Sequence, residues 1–309
     1  MTHPTGIDLG ASTVTGTYGV TATAGGITDS GVLAITGTST FTVANGQSVI
    51  LDESSTFATV TFASAGTIAS IEVNDSNALD LGTLTTTGNL TVTAGGNITD
   101  SGTVTVGGNL IATTDANSGA IDLGTLAVDG TIALVTHNNG AATVVNDAGL
   151  NFAASTVGGA LSATATTGNI TDSGALTITG TSAFVTIAND ATITLDQGGH
   201  AFTGALLITT NDTSTDTAGD VTISAGSSTV LDFGNSTIDG DLIATSSNAT
   251  GITDSGAMTV RGTASFQTTA TNADISLGTS TLGDGTGTDT ITLNTTGSTG
   301  HATLDNGTT

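Results

Sequence analysis

The chain has 309 residues, of which 44 are Gly and one is Pro, with no Cys or Trp; 26 acidic residues face a single basic one, Arg261, for a formal charge of −25. One cation cannot displace the counterions of a nucleic acid or cradle a nucleotide phosphate, so nucleic-acid binding and Walker-type loops are excluded. The lack of Cys excludes disulfides and thiolate metal sites, no run of about 18 apolar residues offers a transmembrane segment, and the first residues carry no visible signal peptide.

Thr, Gly, Ser, Asn and Asp dominate, and these residues favour strands and turns over helices. In chain order, residues 1–26 read as a partial repeat containing Gly6-Ile-Asp-Leu-Gly10. The pentapeptide Ile-Thr-Asp-Ser-Gly then begins at Ile27, Ile98, Ile170 and Ile252, at spacings of 71, 72 and 82 residues. These starts define super-repeats of about 72 residues over 27–97, 98–169, 170–251 and 252–309. The extra length of the third interval falls in a polar loop insertion near 211–220. Further fragments recur in phase. Ala78-Leu-Asp-Leu-Gly82 matches Ala120-Ile-Asp-Leu-Gly124 and Val230-Leu-Asp-Phe-Gly234, and Val49-Ile-Leu-Asp52 matches Ile193-Thr-Leu-Asp196.

A shorter unit lies inside the long one: apolar residues alternate with polar ones on both sides of a Gly, as around Gly88, Gly108, Gly130, Gly159 and Gly180. Strict alternation predicts short strands with one buried face. A unit this short buries its apolar face only by stacking on its neighbours, and no helical segment is available for crossovers. The prediction is one continuous all-β solenoid, a parallel β-helix of ~13 coils at ~4.8 Å per coil. Val106, Leu110, Val128, Ile132 and Ile178 should point inward. Leu110 and Ala112 run large then small, whereas Ser39 and Phe41, Ser182 and Phe184, and Ala264 and Phe266 run small then large, as a stacked core of constant volume requires. The chain starts and stops in mid-repeat, so uncapped ends and head-to-tail assembly of copies into fibres are expected.

The module Gly168-Asn-Ile-Thr-Asp-Ser-Gly-Ala-Leu-Thr-Ile-Thr-Gly180 resembles repeats of filamentous-haemagglutinin-like adhesins and related β-strand-repeat proteins of bacterial surfaces. The resemblance spans nearly the whole chain. It implies a right-handed β-helix, export to the cell surface, and a stalk, fibre or adhesive role, with cell-surface, host or neighbour-cell glycans as further partners. The secretion domain of the two-partner-secreted members has no match here.

Chemistry-bearing residues are sparse. Asp29, Asp100, Asp172 and Asp254 of the repeated pentapeptide lie about three coils apart, ~15 Å at strand spacing, too far to share an ion, and are expected to close turns through backbone hydrogen bonds. Asp8, Asp80, Asp122 and Asp232 should face solvent. The candidate calcium ligands are Asp212, Asp216 and Asp220 in the polar loop, and Asp284 and Asp289 beside a fragment that partly matches the calcium-binding nonapeptide of RTX proteins. The four His residues show no ligand spacing. Glu53 and Glu72 with neighbouring Asp residues define the enzyme alternative, a polysaccharide hydrolase. Thr-x-Thr pairs such as Thr91 and Thr93 define an ice-binding one. The reading adopted is a structural, non-enzymatic surface solenoid without a required cofactor.

Overall fold

The structure, a computed structural model, describes residues 2–115, 117–211, 213, 218–283 and 289–306. No helix occurs among them, and every strand pairing with a defined register is parallel. The expected β-solenoid is borne out, at about 14 turns rather than 13. The chain divides into two compact units, Met1–Asp147 and Ala148–Thr309.

In the first unit one ladder runs Ile7, Ile27, Val49, Ile71, Leu90, Leu110 and Ile132, each paired with the next. All seven are buried. In the second unit the equivalent ladder runs Leu150, Ile170, Ile193, Val221, Leu242, Ala264 and Ile291. Ile193 and Val221 are paired although 28 positions apart, against 19 to 22 in the first unit. The additional length falls between these two rungs, which includes the polar run 211–220, and the same pairing shifts register between Leu195 and His200.

Each turn is built from short strands with alternating burial, such as Leu90–Ala94 and Leu161–Ala165. The five residues expected to point inward, Val106, Leu110, Val128, Ile132 and Ile178, are all within 2 % of full burial. The volume compensation is local. Leu161 and Ala163 stack on Ser182 and Phe184, and Leu242 and Ala244 stack on Ala264 and Phe266. A large side chain thus lies over a small one at both rungs, which keeps the interior filled at constant cross-section. Phe184 also meets Phe152 and Phe202 edge to face, at 6.1 and 6.2 Å.

The repeated glycines are corners. A Cβ on Gly108 would meet the carbonyl carbon of Gly88 at 2.7 Å, and one on Gly130 would run into Gly108. Successive corners approach so closely that only Gly stacks on Gly there. Buried threonines close other corners: the Thr114, Thr186 and Thr268 hydroxyls donate to the carbonyl oxygens of Gly119, Ala191 and Ala273, five residues on. These bonds account for three of the polar side chains in the interior.

The long repeat does not equal a whole number of turns. From Ile27, three turns lead through Val49 and Ile71 to Leu90; Ile98 then lies on the next face, in the ladder Leu79, Ile98, Ile121, Ala142. In the second unit three turns lead from Ile170 to Leu242, and Ile252 lies on the next face, in the ladder Leu231, Ile252, Ile275, Ala302. One super-repeat therefore makes three and one third turns in both units, even where it is ten residues longer.

Candidate functional site: aspartate brackets between turns

The repeated fragments are parts of one bonded arrangement across three turns. The Asp of the Asp-Leu-Gly fragment accepts from the Thr and Ser hydroxyls of the Ile-Thr-Asp-Ser strand one turn on. Asp80 binds Thr99 at 3.0 Å and Ser101 at 2.6 Å. Asp8 binds Thr28 at 3.4 Å and Ser30 at 2.9 Å, and Asp232 binds Thr253 and Ser255. The Asp of the pentapeptide then brackets the turn after that. Asp100 accepts from the Gly124 and Thr125 N–H groups at 2.9 and 2.7 Å, and Asp254 from those of Gly278 and Thr279 at 2.7 and 3.0 Å. The bonds run to the following coil, 24 or 25 residues away, rather than closing the aspartate's own turn as expected. Stacking brings that coil's amides within reach of an outward carboxylate, and such charge-assisted bonds are the stronger kind.

Two of the four brackets differ at the second carboxylate oxygen. Oδ2 of Asp100 and of Asp254 accepts from a Thr hydroxyl as well as an amide. Asp172 Oδ1 accepts the Asp196 N–H at 3.1 Å, and its Oδ2 lies 3.1 Å from His200 Nε2, both side chains being fully buried. The Nε2–Oδ2 approach lacks the alignment of a hydrogen bond. His200 Nδ1 accepts the Leu176 N–H at 3.0 Å, so the ring is held neutral with its proton on Nε2. Burial lowers the His200 pKa, opposed by the charges of Asp172 and Asp196. Asp29 Oδ1 accepts the Asp52 and Glu53 N–H groups at 3.0 and 3.5 Å, but its buried Oδ2 has no partner. Burial pushes the Asp29 carboxyl up to about 6; the two amide bonds oppose the rise and the nearby Asp52 carboxylate adds to it.

Of the calcium candidates, Asp212, Asp216 and Asp284 lie outside the described residues. Asp220 belongs to a corner ladder: its Oδ1 accepts the Asp241 N–H at 2.9 Å, and Asp241 in turn accepts from Thr263 at 2.7 Å. Asn89 and Asn109 make the same ladder in the first unit. Asp289 is half-buried near Gly283. Among the described residues no three acidic or His side chains gather in a metal-binding cluster. The His residues are dispersed: the His137 ring bonds the Thr114 carbonyl, and His301 lies 3.5 Å from Asp274. Arg261 Nη1 lies 3.2 Å from Asp239 Oδ1. Thr91 and Thr93 stack on Ile111 and Thr113, and these on Ala133 and Val135, so no flat Thr array forms over these coils. No helix among the described residues is long and apolar enough to cross a membrane.

The bracket partners were beyond sequence reasoning because they lie a full turn away; the recurring fragments were its trace. Comparison with curated proteins and with solved structures returned no match. A family model described as "Repeats of unknown function (DUF5649)" matches the chain four times, over residues 2–64, 65–135, 139–209 and 218–281. With most of its length covered by these four matches, the chain belongs to that family of repeats.

Proposed function

We propose that this chain is a structural segment of a microbial surface fibre, stalk or adhesin shaft, acting outside the cell and without catalysis. The observation that supports the reading most is the parallel ladder within each unit, in which successive turns are joined through backbone, Asp brackets and stacked corners. A repeating wall of this kind serves as a spacer, because each added turn presents the same interface as the last. The resemblance to bacterial surface-adhesin repeats supports the location and an adhesive role toward glycans. Self-association by the same stacking follows the same logic, since a head-to-tail contact of this type does not close on itself. The test is analytical ultracentrifugation and negative-stain electron microscopy of residues 1–309. Extended particles that lengthen by end-to-end contact are expected. A compact monomer at all concentrations overturns the assembly reading, and failure to bind a panel of surface glycans overturns the adhesive one.

A further inference from the structure

The wall of the first unit opens beside the strand Gln47–Ser64. Leu33–Val43 runs over two faces and Gln47–Ser64 over three as continuous strands; 34–43 pair with 56–64, with a register shift between Ile35 and Thr38. The next turn instead bends at Gly82 and Thr83, between Leu79–Leu81 and Leu84–Thr86. The two cross-sections do not match. Pairing on this side of Gln47–Ser64 ends at Ser55 and Asp75, and no ladder continues from 57–62 to 79–84. Two openings lie in this seam. The smaller, about 50 Å³, is lined by apolar side chains including Val60, Phe62, Leu81 and Leu84. The larger, about 110 Å³, is lined by Asp75 and Asp80 together with residues 57–60.

Asp75 is 1 % exposed. Its Oδ1 accepts the Asn77 N–H at 2.9 Å, while its buried Oδ2 has no hydrogen-bond partner. Burial raises its pKa, opposed by the Asn77 and Phe57 amides. Asp80 at the same opening already holds the Thr99 and Ser101 hydroxyls. The opening joins the unpaired carboxylate oxygen of Asp75 to a second carboxylate, Asp80, and to the main chain of 57–60. Hard cations take such ligands and keep part of their hydration shell. At about 110 Å³ the opening holds nearly four water volumes of ~30 Å³ each, room for an ion with a partial shell. A formal charge of −25 concentrates cations at the surface.

We propose that the opening between 57–60 and 75–80 binds a calcium-class divalent cation, with Asp75 as its anchoring carboxylate and main-chain oxygens and water completing the shell. Bound there, the ion bridges the two turns where their ladder is interrupted. The test is calorimetric titration of chelator-stripped protein with CaCl2 at fixed ionic strength, together with melting curves. Wild type should bind one ion at this site and melt higher with calcium. Asp75→Asn should weaken binding at least tenfold and lose the melting shift, whereas the exposed Asp129→Asn should keep both. Ala78→Leu, which fills the opening without changing charge, should abolish binding as well and covers the case of an unfolded Asp75 variant. An equal calcium response in all four proteins means diffuse screening and overturns the site. A more stable Asp75→Asn protein whose parent shows no calcium response means a protonated carboxyl in a hydrated void, and overturns it too.

Discussion

His200 Nε2 lies 3.1 Å from Asp172 Oδ2 with both side chains fully buried, one turn apart in the stack. His200→Ala removes the partner of a buried carboxylate, frees the Leu176 N–H and opens space beside Phe202, whose ring stacks on the imidazole at 5.5 Å. With the imidazole neutral, the cost is that of a cavity and an unpaired buried N–H, about 2–4 kcal/mol. Urea denaturation should show a loss of that size, with the slope of the transition unchanged.

The same residue gives a pH signature. The unfolded chain takes up a proton at His200 near 6.5, while the folded chain, with a lowered pKa, does so only at lower pH. Below pH 6.5 the unfolded state therefore binds more protons, and the His200 contribution to stability falls as pH falls. The pH dependence of the urea midpoint between 7 and 5 should lose this component in His200→Gln, which keeps a polar side chain at the position. An unchanged difference profile refutes a neutral buried imidazole.

Asp29 acts with the opposite sign. Its carboxyl is held at about 6 against 3.8 for an unperturbed Asp, so between these values the folded protein binds more protons than the unfolded one. Stability contributed here is greatest below pH 4 and is lost as pH rises to 6, with a penalty of up to about 3 kcal/mol at pH 7. Asp29→Asn keeps an acceptor for the Asp52 N–H and removes the charge. It should melt several degrees higher than wild type at pH 7 and match it near pH 4. Equal melting temperatures at pH 7 would count against a penalised carboxylate.

Glycine positions divide into two kinds. Gly251 has φ +97°, and a Cβ there would fall onto the Asp274 carbonyl of the next turn. Gly251→Ala should destabilise by roughly 3 kcal/mol through strain and collision. A Cβ on Gly124 meets nothing, and its N–H bond to Asp100 survives in Ala. Gly124→Ala should stay within about 0.5 kcal/mol of wild type. Denaturation of the two variants side by side checks the contrast.

Self-repulsion at −25 with a single Arg should weaken the fold at low salt. Screening shortens from ~30 Å at 0.01 M to ~8 Å at 0.15 M ionic strength. The melting temperature should rise over this range in NaCl alone, and a flat response would refute the idea.

The inward positions were legible because alternation has the same meaning in every strand: Val106 and Leu110, or Val128 and Ile132, straddle a corner glycine, and all four are buried. The small-then-large pairs were legible as well, since Ser182 and Phe184 compensate Leu161 and Ala163 directly. The bonds of Asp100 were not. Its partners Gly124 and Thr125 follow by 24 and 25 residues, a distance that becomes contact only once the length of a turn is known. His200 carried no signal, because a lone His beside two glycines looks like a loop residue. The opening at Asp75 arises where the continuous strand Gln47–Ser64 is followed by the separate strands Leu79–Leu81 and Leu84–Thr86. Gly37 resembles the corner glycines in sequence and stacks on Gly16 as they stack on one another, although its strand continues on both sides of it.

The fractional repeat bears on how such a chain lengthens. Copying about 72 residues by tandem duplication does not return the growing end to its starting azimuth; the new copy begins a third of a revolution further round. Each inherited strand must then serve on a wall different from the one its parent occupied, under the same neighbours' geometry. Selection on one copy is thereby selection for all three walls, which favours interchangeable short residues outside and tolerant aliphatic rungs inside. Within each unit the motif therefore changes wall from one copy to the next: Ile98 lies one face on from Ile27, and Ile252 one face on from Ile170.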